Sequence, residues 1–356
     1  MQDFDYVIIG GGCAGLSLAY SLEINNRLKS KSLAIIEPRE KYERDKSWSF
    51  WKTFDHNFDD CVKKSWNHFE VKKKNGIQRH ATSNYPYQCI DSGLFYEKIL
   101  NALNKNKNIS FFKDSQNIDI EKSIVFNSVT EHKPNNMGLY QHFQGYEIEL
   151  EENFFNDSIF TLMDFNCDQR KSVHFFYVLP FTPKSALIES TWISAMEDPI
   201  EQDYSNQISD YIENVLKIKH YKISYSEIGK IPLFSCKLKN SHNIIHIGTS
   251  GGMTRLSTGY TFLNIQKHSD YLQKNMGTIE KIGNFTIRKK YLYLDNLFLR
   301  VLKNYPERMI DIFYQMFGCK TDTIIRFLSE EENILEDAAV IQSMPKKIFI
   351  NSLWRK

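Results

Sequence analysis

Three groups of residues in this chain have types and spacings that could do chemistry. The first is a glycine run near the start, DYVIIGGGCAG over 5–15. Gly10, Gly12 and Gly15 stand at the spacing in which the first glycine lets the chain turn tightly. The second lets the backbone approach a pyrophosphate, and the third lets a helix pack closely on a strand. The phosphates then sit on the helix N-terminus, where unpaired N–H groups and the helix dipole favour an anion. Glu37 lies 22 residues past Gly15, where such a unit needs a carboxylate for ribose hydroxyls. A glycine triplet alone is also what an ordinary loop contains. The flanks separate the two readings: a short apolar strand before, a helix over 16–22, and a second strand over 32–37 that ends on Glu37. Together these form a dinucleotide-binding βαβ unit.

The second group is a late glycine segment, NIIHIGTSGG over 243–252, followed by STGY over 257–260 and a helix to about 271. In two-domain flavoproteins a late strand–glycine–helix returns to the first domain and presents its helix N-terminus to the flavin. That reading makes Gly248, Gly251, Gly252 and Thr258 cofactor contacts. Taken alone, the segment also reads as a surface loop; its partnership with Gly10–Gly15 raises it. The third group is a single acid, Glu189, between Ile188 and Trp192 on an apolar strand. A carboxylate on a buried face either pairs with a base or is held neutral by desolvation, which raises its pKa. A neutral carboxylic acid in an apolar cavity can protonate an alkene. The plainer reading is an acid on the solvent face of an edge strand. Asp45, Asp164 and Glu227 could partner it, but each reads more simply as a surface or capping acid. Trp48, Trp51, Phe181 and Tyr260 could stabilise a cation through their ring faces, or simply be core. The ten histidines form no HxxxH or HxH pair, which argues against a metal site.

The elements that must position these residues follow from periodicity. Strands are expected at 109–112 and 123–127, and an amphipathic helix over 91–103 with Leu94, Phe95, Ile99, Leu100 and Leu103 on one face. Residues 41–51 crowd three large aromatics behind a charged cluster and read as a loop, either anchored by Trp48 and Trp51 or lining a cavity. From 140 to about 233 the pattern is strand and turn, with an antiparallel pair at 158–164 and 173–179, a turn at 180–183 and a strand over 185–192. A helix is expected over 202–216 and several more from 294 onward. The fold class is therefore α/β: an FAD/NAD(P)-binding Rossmann-like domain, an antiparallel β substrate domain and C-terminal helices. The expected division is 1–60, 91–135 and 240–275 for the discontinuous FAD-binding domain, 61–90 and 136–239 for the substrate domain, and 276–356 for the helical region. A nucleotide unit this close to the N-terminus suits FAD as the resident cofactor.

With 356 residues the chain can bury a sizeable core, and a net charge of +2 offers no field for nucleic acid. Aromatics reach 14%, which reads as a Phe-rich core before it reads as an aromatic pocket. The six cysteines show no CxxC pair and suggest a reducing compartment. The first residues lack the basic and apolar regions of a signal peptide, and no stretch has the roughly 20 apolar residues of a spanning helix. The tail from Ile341 mixes bulky apolar and basic residues. It suits an anionic membrane surface or a capping helix equally.

In this order the segments resemble the lycopene cyclase family of carotenoid-producing bacteria, over roughly residues 4–330. The glycine fingerprint is joined by SWSF at 47–50, QHFQG at 141–145, LMD at 162–164, FYVLPFTP at 176–183, ALIEST at 186–191, the late glycine segment and RFL at 326–328. The family's Phe-Leu-Glu-Glu-Thr motif keeps its first acid as Glu189, while Ser190 replaces the second. Thr249 stands where related flavoproteins carry an Asp. The resemblance implies a lycopene β-cyclase, an intramolecular lyase or isomerase that forms β-carotene via γ-carotene without net redox change, with Glu189 as the acid. It implies FAD in its reduced form, with NADPH or NADH as reductant, a carotenoid polyene substrate, and a cytoplasmic enzyme held peripherally on the inner face of the membrane. The alternative is an FAD-dependent monooxygenase or reductase acting on an apolar substrate. A third is a binding protein without turnover. Ring type and oligomeric state stay open.

Overall fold

The computed structural model describes residues 1–130, 138–195, 201–278, 283–285 and 287–354. Its first layer is a five-stranded, wholly parallel sheet in the order Ile244–His246, Ile124–Asn127, Tyr6–Ile9, Leu33–Ile36, Ile109–Phe112. These strands are short and apolar because both faces of a parallel sheet are covered. Helix Cys13–Ile24 buries residues on every side, as its nearly uniform apolar sequence requires. It packs against helix Phe262–Asn275. Helix Ser92–Leu103 joins the same core through Phe95, Ile99 and Leu103. The opposite face of the sheet is sealed by a smaller cluster, Val7, Ala34, Ile36, Ile118 and Val125.

The second layer is a seven-stranded sheet in the order Lys222–Pro232, Tyr140–Glu149, Ser185–Ser194, Val173–Thr182, Ile159–Asp164, His68–Lys73, Gly76–Ala81. All its pairings are antiparallel except that of Ile159–Asp164 with His68–Lys73. Because side chains alternate along a strand, each face has its own partner. Phe175, Leu187 and Ile193 pack toward helices Lys289–Asn304, Met309–Met316 and Thr321–Leu328. Phe176, Val178, Ala186 and Ile188 pack toward helix Glu201–Asp210 and the π-helical turn Tyr211–Val215 that continues it. A three-stranded antiparallel sheet, Ser47–Trp51, Tyr87–Asp91, Val62–Trp66, joins the two layers.

Several local expectations change. Residues 47–51 are not loop but an edge strand on Tyr87–Asp91, since their aromatics find core partners on its two faces. The strand expected to end at 179 runs on to Thr182, and the turn moves to 183–184. Pro180 is tolerated there because the register shifts just past it. On helix Ser92–Leu103 the buried face uses Ser92 and Tyr96, while Leu94 is exposed. Helices Ile334–Ser343 and Lys346–Trp354 occupy most of the mixed tail. The expected domain boundary at 135/136 and the last two basic residues, 355–356, lie outside the described residues.

Candidate functional site

A cavity of about 580 Å³ lies where these layers meet. The first glycine turn contributes Gly12, Cys13 and Ala14 to its wall, and the late segment contributes Gly248, Thr249 and residues 257–262. The large sheet supplies Phe143, Leu187, Glu189, Thr191 and Glu227, and the C-terminal helices supply Phe313 and Phe317.

The glycines divide by what surrounds them. Gly10 has φ +94° and a Cβ there would meet Ser128 Oγ at 2.3 Å. At Gly15 a Cβ would stand 1.9 Å from the Gly10 carbonyl oxygen. Both are glycine for reasons internal to the turn. Gly12 is different: a Cβ there would meet nothing within 4 Å, and the residue faces the cavity. No side chain caps helix Cys13–Ile24 or helix Phe262–Asn275, and both N-termini border this cavity. Unpaired N–H groups and two helix dipoles therefore converge on one open space, which fits a pyrophosphate.

Of the other expected contacts, Gly248 (φ +62°) and Thr258 border the cavity, whereas Gly251 and Gly252 lie behind it in the turn. A Cβ at Gly251 would stand 2.5 Å from the His246 carbonyl oxygen, so its role is close packing. Glu37 does not border the cavity. It accepts hydrogen bonds from the Gly11 N–H at 2.6 Å and the Arg39 N–H at 3.0 Å, holding the glycine turn in shape. Its carboxylate keeps lone pairs for a ribose. Thr249 borders the cavity, its hydroxyl 3.3 Å from that of Thr254. The late segment is clamped by a buried ion pair. Arg255 Nε donates to Asp295 at 2.8 and 2.9 Å, and the Leu256 N–H and the Ser257 hydroxyl bond the same carboxylate.

Glu189 is 8% exposed and faces the cavity from the centre of the large sheet. The Thr191 hydroxyl donates to its Oε1 at 2.5 Å. Burial, reinforced by the nearby Glu227 charge, pushes the Glu189 carboxyl up to about 8, against the opposing pull of Thr191 and Lys46. It therefore holds its proton at neutral pH. Ser190, one residue on, is fully buried on the opposite face, where its hydroxyl lies 2.9 Å from His174 Nε2 and donates to Gln207. An acid at 190 would point away from the cavity. Trp48 and Tyr260 border the cavity, while Trp51 and Phe181 are core and do not.

Sequence reasoning missed several members of this wall. Thr191 was within its reach, being two residues from Glu189 on the same face. The paired hydroxyls of Tyr87 and Tyr177, 3.0 Å apart, were not, since no local pattern links them. Glu227, read as a surface acid, is 6% exposed and borders the cavity. Its strand lies at the sheet edge, but residues 41–51 cover it. Asp164 is also buried, not exposed, and accepts from the Tyr211 hydroxyl at 2.8 Å on the far face. Asp45 is half exposed beside Tyr96, whose hydroxyl donates to it at 3.0 Å.

The fold is that of FAD-dependent flavoproteins. Residues 5–353 match the family described as "Lycopene cyclase protein", and the chain belongs to that family. No curated protein matches it in sequence. Among solved structures it is similar to a geranylgeranyl bacteriochlorophyll reductase-like protein from Thermoplasma acidophilum (TM-score 0.62, 13% identity, 99% of this chain and 98% of that one). It is also similar to a flavoprotein/dehydrogenase from Cytophaga hutchinsonii (0.64, 10%, 99% and 99%). A p-nitrophenol 4-monooxygenase from Pseudomonas putida aligns at 0.57 and 10% identity over 99% and 98%. At these identities the likeness is one of fold.

Proposed function

We propose that this protein is a lycopene β-cyclase, converting lycopene through γ-carotene to β-carotene in carotenoid biosynthesis. One observation carries the reading: Glu189, a buried carboxyl pushed up to about 8, lines the same cavity as the open flank of Gly12 and the two uncapped helix N-termini. Glu189 donates that proton to the terminal double bond of the polyene. The electron pair of an internal double bond then closes the ring, and the ring cation loses a proton, so no net redox change occurs. Ring faces in the wall, Trp48 and Phe143 among them, lower the energy of the cation. The open flank of Gly12 and the two uncapped helices fit FAD, which when bound and reduced, with NADPH or NADH as reductant, would supply electron density beside the cation. Gly12, Gly248, Thr249 and Thr258 would hold it.

The substrate dissolves in lipid, and we place the enzyme in the cytoplasm, on the inner face of the membrane. Among the described residues no helix is long and apolar enough to cross a membrane. The C-terminal helices expose Ile334, Leu335, Ile350 and Trp354, with Lys346 and Lys347 also exposed. On the last helix Ile350 and Trp354 follow the exposed Lys346 and Lys347, which suits an anionic surface.

The test is expression in a bacterium that accumulates lycopene, with pigment chromatography of wild type beside Glu189→Gln. Conversion to β-carotene that disappears in the variant supports both reaction and acid. Soluble, flavin-loaded protein that leaves lycopene unchanged refutes the cyclase. A redox enzyme on this fold would instead consume NAD(P)H in proportion to product.

A further inference from the structure

The edge strand Lys222–Pro232 brings a second carboxylate into the cavity. Glu189 and Glu227 are both register partners of Gly145, one on each strand flanking it. Two inter-strand spacings separate their backbones, about 10 Å, and Gly145 puts no side chain between them. Both are almost inaccessible and both border the cavity.

Their surroundings differ. Glu189 has the Thr191 hydroxyl as partner, with Leu187 and Ile193 beside it on the same strand face. Glu227 accepts from the Tyr225 hydroxyl at 3.0 Å and from the Ser47 hydroxyl. The Arg44 guanidinium lies 3.7 Å from the centre of the Tyr225 ring, and Asp91 and Glu147 hold it there at 3.0 and 2.7 Å. Lys46, anchored on the Ile228 carbonyl, acts on both acids. Hydroxyl donors and nearby cations favour the charged form. Burial raises the Glu227 carboxyl above its usual range, but these partners oppose the rise. The pair is thus built unequally, one acid to hold a proton and the other better able to release it.

Resting on the cyclisation proposed above, we infer that Glu227 is the base of that reaction and takes the proton lost by the ring cation. The balance closes. Glu189 loses a proton to the terminal alkene carbon, and the internal double bond supplies the electron pair of the new carbon–carbon bond. Glu227 removes a proton from a carbon next to the cationic centre, and that C–H pair becomes the ring double bond. One proton passed from Glu227 to Glu189 restores the starting state. Three carbons adjoin the cationic centre, and each would give a different ring isomer. The position of Glu227 therefore also selects the ring.

The test uses the flavin-loaded protein with reduced flavin and lycopene in detergent, comparing wild type, Glu227→Gln and Glu227→Asp. E227Q should lose roughly 100-fold or more of turnover, with flavin binding and Tm retained. E227D, one methylene shorter, should keep measurable turnover and change the ratio of ring isomers. Independently, infrared titration of the flavin-free protein should show the Glu189 carboxyl midpoint, about 8 in wild type, moved lower in E227Q. An active wild type beside variants with unchanged turnover, isomer ratio and Glu189 midpoint overturns the base and leaves the cyclase standing. Variants that lose flavin binding and Tm together with turnover also overturn it, in favour of a structural role. A wild type that leaves lycopene untouched overturns the cyclisation, and the base with it.

Discussion

Glu189 can act as an acid only while it is protonated. With its carboxyl pushed up to about 8, turnover of the proposed cyclisation should fall as pH rises through 8, a limb that a pH–rate profile would reveal. The same shift has a sign for stability. In the unfolded chain the group titrates near 4.5, so its contribution is full below 4.5 and is lost as pH rises towards 8. Urea unfolding should therefore show wild type losing stability relative to E189Q between pH 5 and 8, by an amount on the order of a few kcal/mol. Ser190 gives the opposite control. S190E would bury a carboxylate beside His174 and Gln207 on the far face; it should lower stability by about 2–4 kcal/mol and not raise activity. Equal stability with faster turnover would sink this account of the strand. The sequence could single out Glu189 but could not say which way it points, because alternation alone does not tell which face the fold encloses.

At the scale of elements, the glycine turns do two jobs that substitution can separate. G12A adds a methyl where the protein leaves open space, so the fold should be kept while FAD affinity drops about tenfold or more, read by flavin fluorescence. G15A drives a methyl into the Gly10 carbonyl and should cost about 3 kcal/mol or more, or prevent folding. Equal behaviour of the two would contradict the division drawn here. The late segment depends on a helix far along the chain: removing the Asp295 carboxylate strips the buried Arg255 of its closest counter-charge and leaves it with Glu330, 3.8 Å from its Nη1. D295A should therefore destabilise by about 3–5 kcal/mol, measured by denaturant unfolding. The strand–glycine–helix units were legible because their signal is local: apolar run, turn residues, apolar run. Residues 47–51 were misread because the strand they pair with, Tyr87–Asp91, lies far away in sequence.

At the scale of the whole molecule, the cavity belongs to no single sheet. Its dinucleotide end is built from the parallel layer and its apolar end from the large sheet and the C-terminal helices. That arrangement suits the proposed cyclisation, which needs a charged cofactor at one end and a hydrocarbon at the other. The exposed apolar residues of the last helices lead to a prediction at this scale. The protein should co-float with vesicles containing anionic lipid, and W354A combined with L335A should reduce the bound fraction several-fold. Binding that ignores both substitutions would place the membrane contact elsewhere.

By itself the sequence determined the nucleotide-binding unit, the class of fold and the order of the elements. Those depend on glycine spacing, apolar runs and periodicity, which act over a few tens of residues. Only the tertiary structure decided which side chains share the cavity. Glu189 and Glu227 face one cavity from either side of their common partner Gly145, and Ser190 turns away because its neighbour turns in. Register and enclosure arise between strands distant in the chain, and no local pattern encodes them.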